Sequence, residues 1–408
     1  MPAETIYFEL IKQLQVIENE HEWQEAIGLT LYDELQEFNL NKSVFHWELE
    51  FPEILNNGFD AAIGNPPYLD VPENDYIGVP LQSLKSTNLY AYIPERSFSM
   101  IKDNCYLSFI TPMAIISSKR MVHIQEIFKK HTLYLMNIDS YSNPGVLFEN
   151  VKTSINIFHL KKDYCNKIFT TSYRRFYGYE RKQLFTNNNY YLLQDYKLIL
   201  GYTIPKISSL IEEKILQIIF DNGVPLRDYV SSTKDGNLLY YRSAGNPYYR
   251  LAFDYPPVIE VNGSTVYSTS LKNIIFEKKY SQYILLTTFF TSLYYWFWTV
   301  YSDCYNFHPK DLFRFTLDLE HLSKFESEFK EIYLKIKSDL NSNGEDVVYN
   351  KRNGVTKYKL FRARKSKSAF DEADVFLGKK LGFSDDMIDF LINYDLKYRT
   401  DELCQENN

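Results

Sequence analysis

The spacing of apolar residues divides the chain into regions of different expected structure. Over residues 1–44 apolar residues recur every three or four positions with charges between them, which predicts helices. Phe45–Leu55 instead alternates apolar and polar positions, as a strand does. Beyond Phe59 the spacing predicts helices over Asn88–Ile101 and Lys119–His131 and strands over Cys105–Pro112, Leu133–Tyr141 and Thr153–Lys162. This alternation is typical of an α/β domain with a parallel or mixed sheet, here over residues 45–162.

The pattern changes after residue 162. Residues 163–202 are polar and rich in Tyr and Asn, and we interpret them as a linker. Residues 203–399 have short helix and strand signals separated by turn clusters, which indicates a second, α+β domain before a tail at 400–408. Tyr283–Tyr301 is interrupted by Thr and Ser, so we expect a buried core helix and not a membrane span, which needs ~18 apolar residues in a row.

Composition narrows the class of protein. The 408 residues are 45% hydrophobic and 24% charged, as in globular proteins. The first residues lack the basic and apolar segments of a signal peptide. The four cysteines lie far apart without a CxxC pair, which favours reduced thiols in a cytoplasmic protein over a zinc site or disulfides. No residues suggest a metal site.

Charge bears on the possible partners. A net charge of −7 argues against a general nucleic-acid coat but permits a local basic face. Such a segment is Lys351–Lys367, which has no acidic residue and is either a phosphate-binding face or a solvated loop. Its cationic residues are Lys351, Arg352, Lys357, Lys359, Arg362, Arg364, Lys365 and Lys367.

The stretch FDAAIGNPPYLDV, Phe59–Val71, carries the candidate chemistry. Ala61, Ala62 and Ile63 are expected to end a buried strand, which the backbone leaves at Gly64. The two prolines stiffen the next segment and remove two backbone donors. Ligands of open α/β sheets bind at the carboxyl ends of strands. An amide, free carbonyls and an aromatic ring there suit a flipped nucleobase with an exocyclic amine. The alternative is a proline-rich turn without chemistry.

NPPY resembles the catalytic motif of DNA methyltransferases that modify exocyclic amines, most often adenine N6. The flanking sequence, from about residue 30 to 399, is similar to the adenine methyltransferases of type IIG restriction enzymes and related phage-exclusion methylases. The segments that carry this likeness occur in the order of that family: FHWELEFPEIL, NLYAYIPERSFSMIK, YLSFITPMAII, VLFENVKTSINIFHLKK, YYWFWTVYSDCYNFHPKDLFRF and DEADVFLGKKLGFSDDMIDFLINYDLKYR.

The resemblance implies roles for single residues. The Asn65 side-chain oxygen and the Pro66 carbonyl would accept hydrogen bonds from the target amine, Pro67 would complete the motif, and Tyr68 would stack on the base. Phe158, in TSINIF, would either pack against the flipped base or be a core residue. The implied fold is part of a Rossmann-like methyltransferase domain followed by a target-recognition domain at 203–399. The implied substrate is double-stranded DNA and the implied methyl donor is S-adenosylmethionine.

One expected element is missing from this sequence. The family binds S-adenosylmethionine with a Gly-rich turn upstream of NPPY, whereas the residues before Gly58 contain only Gly28, in a helical pattern. Two hypotheses remain open. The chain is the catalytic-loop and specificity part of an adenine-N6 methyltransferase of a restriction-modification or phage-defence system, with the cofactor motifs on an upstream half. Alternatively, it is an inactive DNA-recognition subunit or a remnant. No nuclease motif is apparent.

Overall fold

A computed structural model describes residues 57–71, 81–140, 145–148, 153–186, 188–233, 235–243, 249, 251–304, 307–351 and 354–400. The helical segment predicted at residues 1–44 and the strand predicted at Phe45–Leu55 lie outside these residues. So does all of the predicted tail except Thr400.

Strands and short helices alternate over the first part of the described chain. The strands are β1 (Phe59–Gly64), β2 (Ile101–Pro112), β3 (Thr132–Ile138), β4 (Ile155–Lys161), β5 (Lys167–Arg174) and β6 (Tyr191–Leu192). The α-helices are α1 (Leu89–Met100), α2 (Ala114–Ser117) and α3 (Val122–Phe128). Short 3₁₀ helices precede α1 at Gln82–Ser86 and α3 at Lys119–Met121. The predicted helices and strands of this region are therefore confirmed, with small shifts at their ends.

Helices are longer and strands shorter in the second part. The helices are α4 (Leu210–Asn222), α5 (Gln282–Phe290), α6 (Ser292–Tyr301), α7 (Pro309–Phe313), α8 (Leu319–Leu322), α9 (Glu326–Ser342), α10 (Lys367–Lys380), α11 (Asp385–Asn393) and α12 (Leu396–Thr400). The strands are β7 (Val224–Pro225), β8 (Asn237–Arg242), β9 (Ala252–Phe253), β10 (Ile259–Val261), β11 (Ser264–Val266), β12 (Leu271–Phe276), β13 (Thr316–Leu317), β14 (Glu345–Lys351) and β15 (Gly354–Leu360).

The largest sheet has six strands in the order β1-β2-β4-β3-β5-β6. Strand β1 runs parallel to β2, with Gly64 opposite Phe109, whereas β5 and β6 are antiparallel. The sheet is thus mixed, and the predicted α/β class is confirmed. A four-stranded antiparallel sheet, β11-β10-β15-β14, lies in the second part of the chain.

The chain forms two compact units. Among the described residues, those within 57–111, 119–134 and 157–168 belong to unit 1, and those within 112–118, 135–156 and 169–400 belong to unit 2. In unit 1, α3 buries Ile124 and Phe128, and Phe128 contacts Phe158 of β4 with ring centroids 4.9 Å apart. In unit 2, α6 is buried along its whole length.

The prediction that β1 is a buried strand is wrong for one of its faces. Alternate side chains of a strand point to opposite faces of the sheet. Ala61 and Ile63 share one face, and Ile63 is 86% exposed because no described residue covers it. Gly64, on the other face, packs against Phe109.

The prediction of a linker over residues 163–202 is wrong for β5, which is part of the large sheet. The sequence did not predict this strand because it contains the polar residues Thr170 and Thr171. Both are buried, and their hydroxyls are hydrogen-bonded. The Thr170 hydroxyl donates to the Pro205 carbonyl (3.2 Å), and the Thr171 hydroxyl accepts from the Asn137 amide (3.0 Å). Satisfied hydroxyls of this kind can be buried at little cost.

Residues 284–301 are buried, as expected for the Tyr283–Tyr301 run, but the run forms two helices. The chain breaks at Thr291, whose backbone is extended (φ −72°, ψ 151°) and whose hydroxyl caps α6 by accepting from the Tyr294 amide. The buried Asp374 carboxylate accepts from the amides of Ser292 (3.0 Å) and Leu293 (3.2 Å). None of the described helices has the length and hydropathy of a membrane-spanning segment.

A buried ion-pair network joins distant parts of unit 2. The Arg175 guanidinium donates to Asp139 just after β3 (3.1 Å), to the Tyr295 hydroxyl on α6 (2.6 Å) and to Asp395 before α12. The side chains of Arg175 and Asp139 are almost inaccessible to solvent. Removing one partner of such a pair would leave an uncompensated buried charge.

Candidate active site: the Asn65–Tyr68 loop

The loop begins at the carboxyl end of β1, at one edge of the described sheet. Asn65 and Pro67 are exposed, Pro66 is buried and Tyr68 is half-buried. No hydrogen bond joins the Asn65 side chain to another residue within the described ranges. Its amide is therefore presented to solvent while the next residue holds the loop against the protein.

Gly64 fixes the point at which the chain leaves the sheet. A Cβ at this position would lie 2.6 Å from the Phe109 ring, closer than real Cβ contacts. The absence of a side chain lets the backbone approach β2, and this approach sets the position of Asn65. The glycine is thus required for packing.

Two backbone hydrogen bonds hold the far end of the loop. The Val71 amide donates to the Thr87 carbonyl (2.9 Å) and the Leu89 amide donates to the Leu69 carbonyl (3.2 Å), and together they form an isolated antiparallel β-bridge between Asp70 and Asn88. The loop is therefore attached to the residues just before α1. Those residues are held in turn by the buried Glu95 carboxylate, which accepts from the amides of Gln82 (2.7 Å) and Ser83 (2.8 Å) at the preceding 3₁₀ helix.

Tyr68 is fixed at both its ring and its hydroxyl. The ring meets Tyr90 edge-on, with centroids 6.3 Å apart and an interplanar angle of 83°. The hydroxyl donates to the Ile110 carbonyl of β2 at 3.3 Å. Burial raises the pKa of Tyr68 to about 12, so the phenol is neutral and remains a donor at physiological pH. The ring is therefore held in one orientation while it remains partly accessible.

An arginine that the sequence reasoning missed lies beside this loop. Arg120, in the 3₁₀ helix Lys119–Met121, donates through Nη2 to the Asp70 carboxylate at 2.8 Å. It also lies near Tyr90: burial raises the pKa of Tyr90 to about 12, and the charge of this guanidinium opposes that rise. Only the tertiary structure brings Arg120 to Asp70, which is 50 residues away in sequence.

Phe158 occupies the core of unit 1 and is 1% exposed. Its ring contacts Phe109 (centroids 6.0 Å apart, nearly parallel) and Phe128 (4.9 Å). Of the two roles considered for Phe158, the position described here fits the core residue. Its neighbour His159 instead points to the exposed face of the sheet and accepts or donates a hydrogen bond with Ser108 at 2.8 Å.

The basic segment Lys351–Lys367 is neutralised in part by acids from other elements of unit 2. Lys357 pairs with Glu260 on β10 (2.9 Å), and Arg362 pairs with Glu345 on β14 (2.8 Å). Lys367 is only 7% exposed and pairs with Asp371, so this position does not fit a phosphate contact. Lys359 and Lys365 are exposed and Arg364 is half-buried, whereas Arg352 and the Lys351 side chain lie outside the described residues.

The described residues do not fit a complete S-adenosylmethionine site. They contain no glycine-rich turn between a parallel strand and a helix, and Gly64 packs against Phe109 instead of cradling a ligand. They also contain no group of three or more His, Cys, Asp or Glu side chains that would hold a metal ion.

Comparison with known proteins gives a family resemblance for the region that includes the loop. Residues 5–143 match the family model described as Eco57I restriction-modification methylase. No curated protein sequence matches the chain significantly. Two of the solved structures that align with it are the Type IIL restriction-modification enzyme MmeI in complex with DNA and a nuclease-deletion mutant of the Type ISP restriction-modification enzyme LlaGI in complex with a DNA substrate mimic.

The structural alignments cover most of this chain but only part of each solved structure. The MmeI alignment covers 87% of this chain and 59% of that chain, at 11% identity and a TM-score of 0.44. The LlaGI alignment covers 88% and 54%, at 13% identity and a TM-score of 0.36. This chain thus spans about half the length of the enzymes with which it aligns. Over residues 5–143, the chain is similar to the methylases of restriction-modification systems.

Proposed function

We propose that this chain is the catalytic-loop and DNA-specificity part of a site-specific adenine-N6 DNA methyltransferase of a restriction-modification or phage-defence system. One observation carries the proposal: an exposed asparagine amide and a fixed, half-exposed tyrosine ring lie on a rigid loop at the carboxyl end of a parallel strand. The similarity of residues 5–143 to restriction-modification methylases supports it.

The loop offers the groups that an extruded adenine requires. The exocyclic amine has two protons, and the Asn65 side-chain oxygen and the Pro66 carbonyl are acceptors for them. Accepting these hydrogen bonds draws the amine protons away and makes the nitrogen lone pair more available for attack. The accessible part of the Tyr68 ring would stack on the base. None of these groups titrates near neutral pH, since burial holds the pKa of Tyr68 at about 12.

S-adenosylmethionine would supply the methyl group. Because the described residues do not form its site, we infer that residues outside them, on an upstream methyltransferase half, bind the donor. The role of this chain is then to hold the adenine amine in line with the donor, and such positioning accounts for much of the rate in two-substrate reactions. The double-stranded DNA around the target would be read by residues 203–399.

The test is a methyl-transfer assay on the full chain, with and without a polypeptide that carries the cofactor motifs. Radiolabelled S-adenosylmethionine and mixed-sequence duplex DNA would be the substrates, and digestion to nucleosides would identify the product. We expect N6-methyladenine only when both polypeptides are present. Label in N4-methylcytosine would contradict the adenine assignment. Specific DNA binding without transfer under any combination would favour an inactive recognition subunit.

A further inference from the structure

The ion pair between Arg120 and Asp70 is placed to be exchanged for another anion. The two side chains are 52% and 75% exposed, and Nη2 lies 2.8 Å from Oδ1. Exposed ion pairs of this kind contribute little to stability, because water stabilises the two separated charges almost as well as the pairing does. The guanidinium can therefore change partner at small cost, and the carboxylate it leaves is well hydrated.

The position of this pair relates it to the proposed catalytic loop. The Arg120 guanidinium lies close enough to Tyr90 to oppose the rise in its pKa, and the Tyr90 ring meets the Tyr68 ring edge-on. Asp70 lies two residues after Tyr68 and is bridged to Asn88, at the end of the loop. An anion bound to Arg120 would thus lie one aromatic ring away from the base that stacks on Tyr68.

The surrounding charges favour an anion. Lys119 is exposed and adjacent in sequence to Arg120. Lys85 is exposed on the 3₁₀ helix Gln82–Ser86, which packs against Lys119–Met121 and α3. Among the described residues of these elements, the three exposed cations lie with two exposed carboxylates, Asp70 and Glu126, and the Glu95 carboxylate is buried. A polyanion would therefore be attracted to this side of the loop in spite of the negative charge of the whole chain.

We propose that Arg120 binds a backbone phosphate of DNA beside the extruded nucleotide, and that this phosphate takes the place of Asp70. The inference rests on the proposed function, because it requires DNA at the Asn65–Tyr68 loop. A guanidinium suits this role, since its planar fork binds two phosphate oxygens at once. Asp70 holds Arg120 in place until the phosphate arrives.

Equilibrium binding of the full chain to a duplex of arbitrary sequence, measured at several salt concentrations, tests the proposal. The duplex contains a mismatched adenine, because the proposed contact forms beside an extruded nucleotide and a mismatched base is extruded more easily. Its flanking sequence can be arbitrary because phosphate contacts carry no sequence information. The variants are Arg120→Gln, Arg120→Lys and Asp70→Asn. The matched controls are Lys102→Gln and Asp60→Asn, which break an exposed pair of the same 2.8 Å length near the amino end of β1.

We expect Arg120→Gln to weaken binding and to flatten the slope of log K against log salt by about 0.9, the value for one phosphate that is no longer neutralised. Arg120→Lys keeps the charge but not the fork, so it should bind with intermediate affinity. Asp70→Asn should bind as tightly as the unaltered chain or more tightly, because a competing carboxylate is removed. The two controls should leave the slope unchanged.

Comparing Arg120→Gln with Asp70→Asn separates a binding role of Arg120 from a structural one, because each variant breaks the same ion pair. Equal weakening by Arg120→Gln and Asp70→Asn would show that the pair only holds the loop, and would overturn the proposal. So would an effect of Arg120→Gln no larger than that of Lys102→Gln. In both cases DNA binding by the unaltered chain, and with it the proposed function, would stand. If the unaltered chain binds no duplex even at low salt, both proposals fail.

Discussion

The Phe109 ring occupies the space that a side chain on Gly64 would need, with 2.6 Å between the ring and an ideal Cβ. Phe109 in turn packs on Phe158 in the core of unit 1. The residue immediately before the proposed catalytic asparagine is thus tied to the core.

Gly64→Ala should destabilise the protein by ~1–3 kcal/mol, because the added methyl group overpacks the contact with Phe109. The same change at Gly178, where a Cβ would meet nothing within 4 Å, is the control and should have a much smaller effect. Denaturant unfolding followed by circular dichroism measures both. Equal stabilities for the two variants would show that the ring moves aside freely.

Asn65→Ala should reduce methyl transfer by a reconstituted enzyme about 100- to 1,000-fold, as removal of a single hydrogen-bonding group aimed at the reacting centre does elsewhere. The missing acceptor acts mainly in the transition state, so affinity for DNA should hardly change. Single-turnover rates and equilibrium DNA binding, measured on the same preparation, separate the two effects. A variant that retained most of the rate would rule out the assigned role of Asn65.

Tyr68 should act through its ring more than through its hydroxyl. The hydroxyl bond to the Ile110 carbonyl is long, at 3.3 Å, so Tyr68→Phe should retain most of the activity. Tyr68→Ala removes the stacking surface, which is worth ~1–3 kcal/mol per base, and should weaken binding of an extruded base about 10- to 100-fold. A duplex with a mismatched target adenine, which is extruded more easily, is the appropriate probe. Similar losses in the two variants would contradict the stacking role.

The exposed lysines of the basic segment provide a test of the predicted DNA face. Neutralising Lys357, Lys359 and Lys365 to Gln should weaken binding to all duplexes alike and flatten the salt slope by about 0.9 for each phosphate that these side chains no longer bind. Lys367→Gln is the control, because this lysine is buried against Asp371 and its replacement should affect stability only. No change in affinity or slope in the triple variant would place the DNA face elsewhere.

Asp311 should make stability depend on pH. Burial raises the pKa of Asp311 to about 6 in the folded protein. In the unfolded chain the pKa is ~3.9, so between these two pH values the folded protein keeps a proton that the unfolded chain has lost. Its stabilising contribution is therefore complete below about pH 4 and is lost as the pH rises through about 6.

Asp311→Asn resembles the neutral acid, and its side-chain oxygen can still accept from the His308 amide, as Asp311 does at 3.1 Å. The variant should equal the unaltered protein in stability at pH 4 and exceed it at pH 8, by at most ~3 kcal/mol. Denaturant unfolding at the two pH values provides the comparison. A difference that is the same at both would show that the carboxyl does not titrate in this range.

The sequence predicted those features that depend on local periodicity. The local spacing of apolar residues predicts helix α1 (Leu89–Met100) and strands β2 (Ile101–Pro112) and β4 (Ile155–Lys161). The position of the Asn65–Tyr68 segment at the end of a strand was also predicted from local sequence, because glycine and proline end regular structure.

Features that depend on distant residues were missed. Strand β5 contains Thr170 and Thr171, and the sequence does not show that Asn137 and Pro205 satisfy their hydroxyls. The Tyr283–Tyr301 run reads as one helix because the carboxylate that stabilises the break at Thr291 comes from Asp374. The Lys351–Lys367 segment contains no acid of its own, yet Glu260 and Glu345 pair with it. The spacing of apolar residues does not show which side chains, tens of residues apart in sequence, will contact each other in the fold.

The Arg175 network has a consequence for the order in which the protein is made. Asp139 leaves the ribosome 36 residues before Arg175, whereas Asp395 follows 220 residues after it. At a synthesis rate of ~5–20 residues per second, the nascent chain waits roughly 10–45 s before the second carboxylate exists. Throughout this interval only one of the two carboxylates that pair with this guanidinium has been made, so the network of unit 2 is complete only after Asp395 has been added. Chains on which translation stalls before Asp395 therefore lack one carboxylate of this network, and a buried charge without that partner favours the partly unfolded states that chaperones and proteases engage.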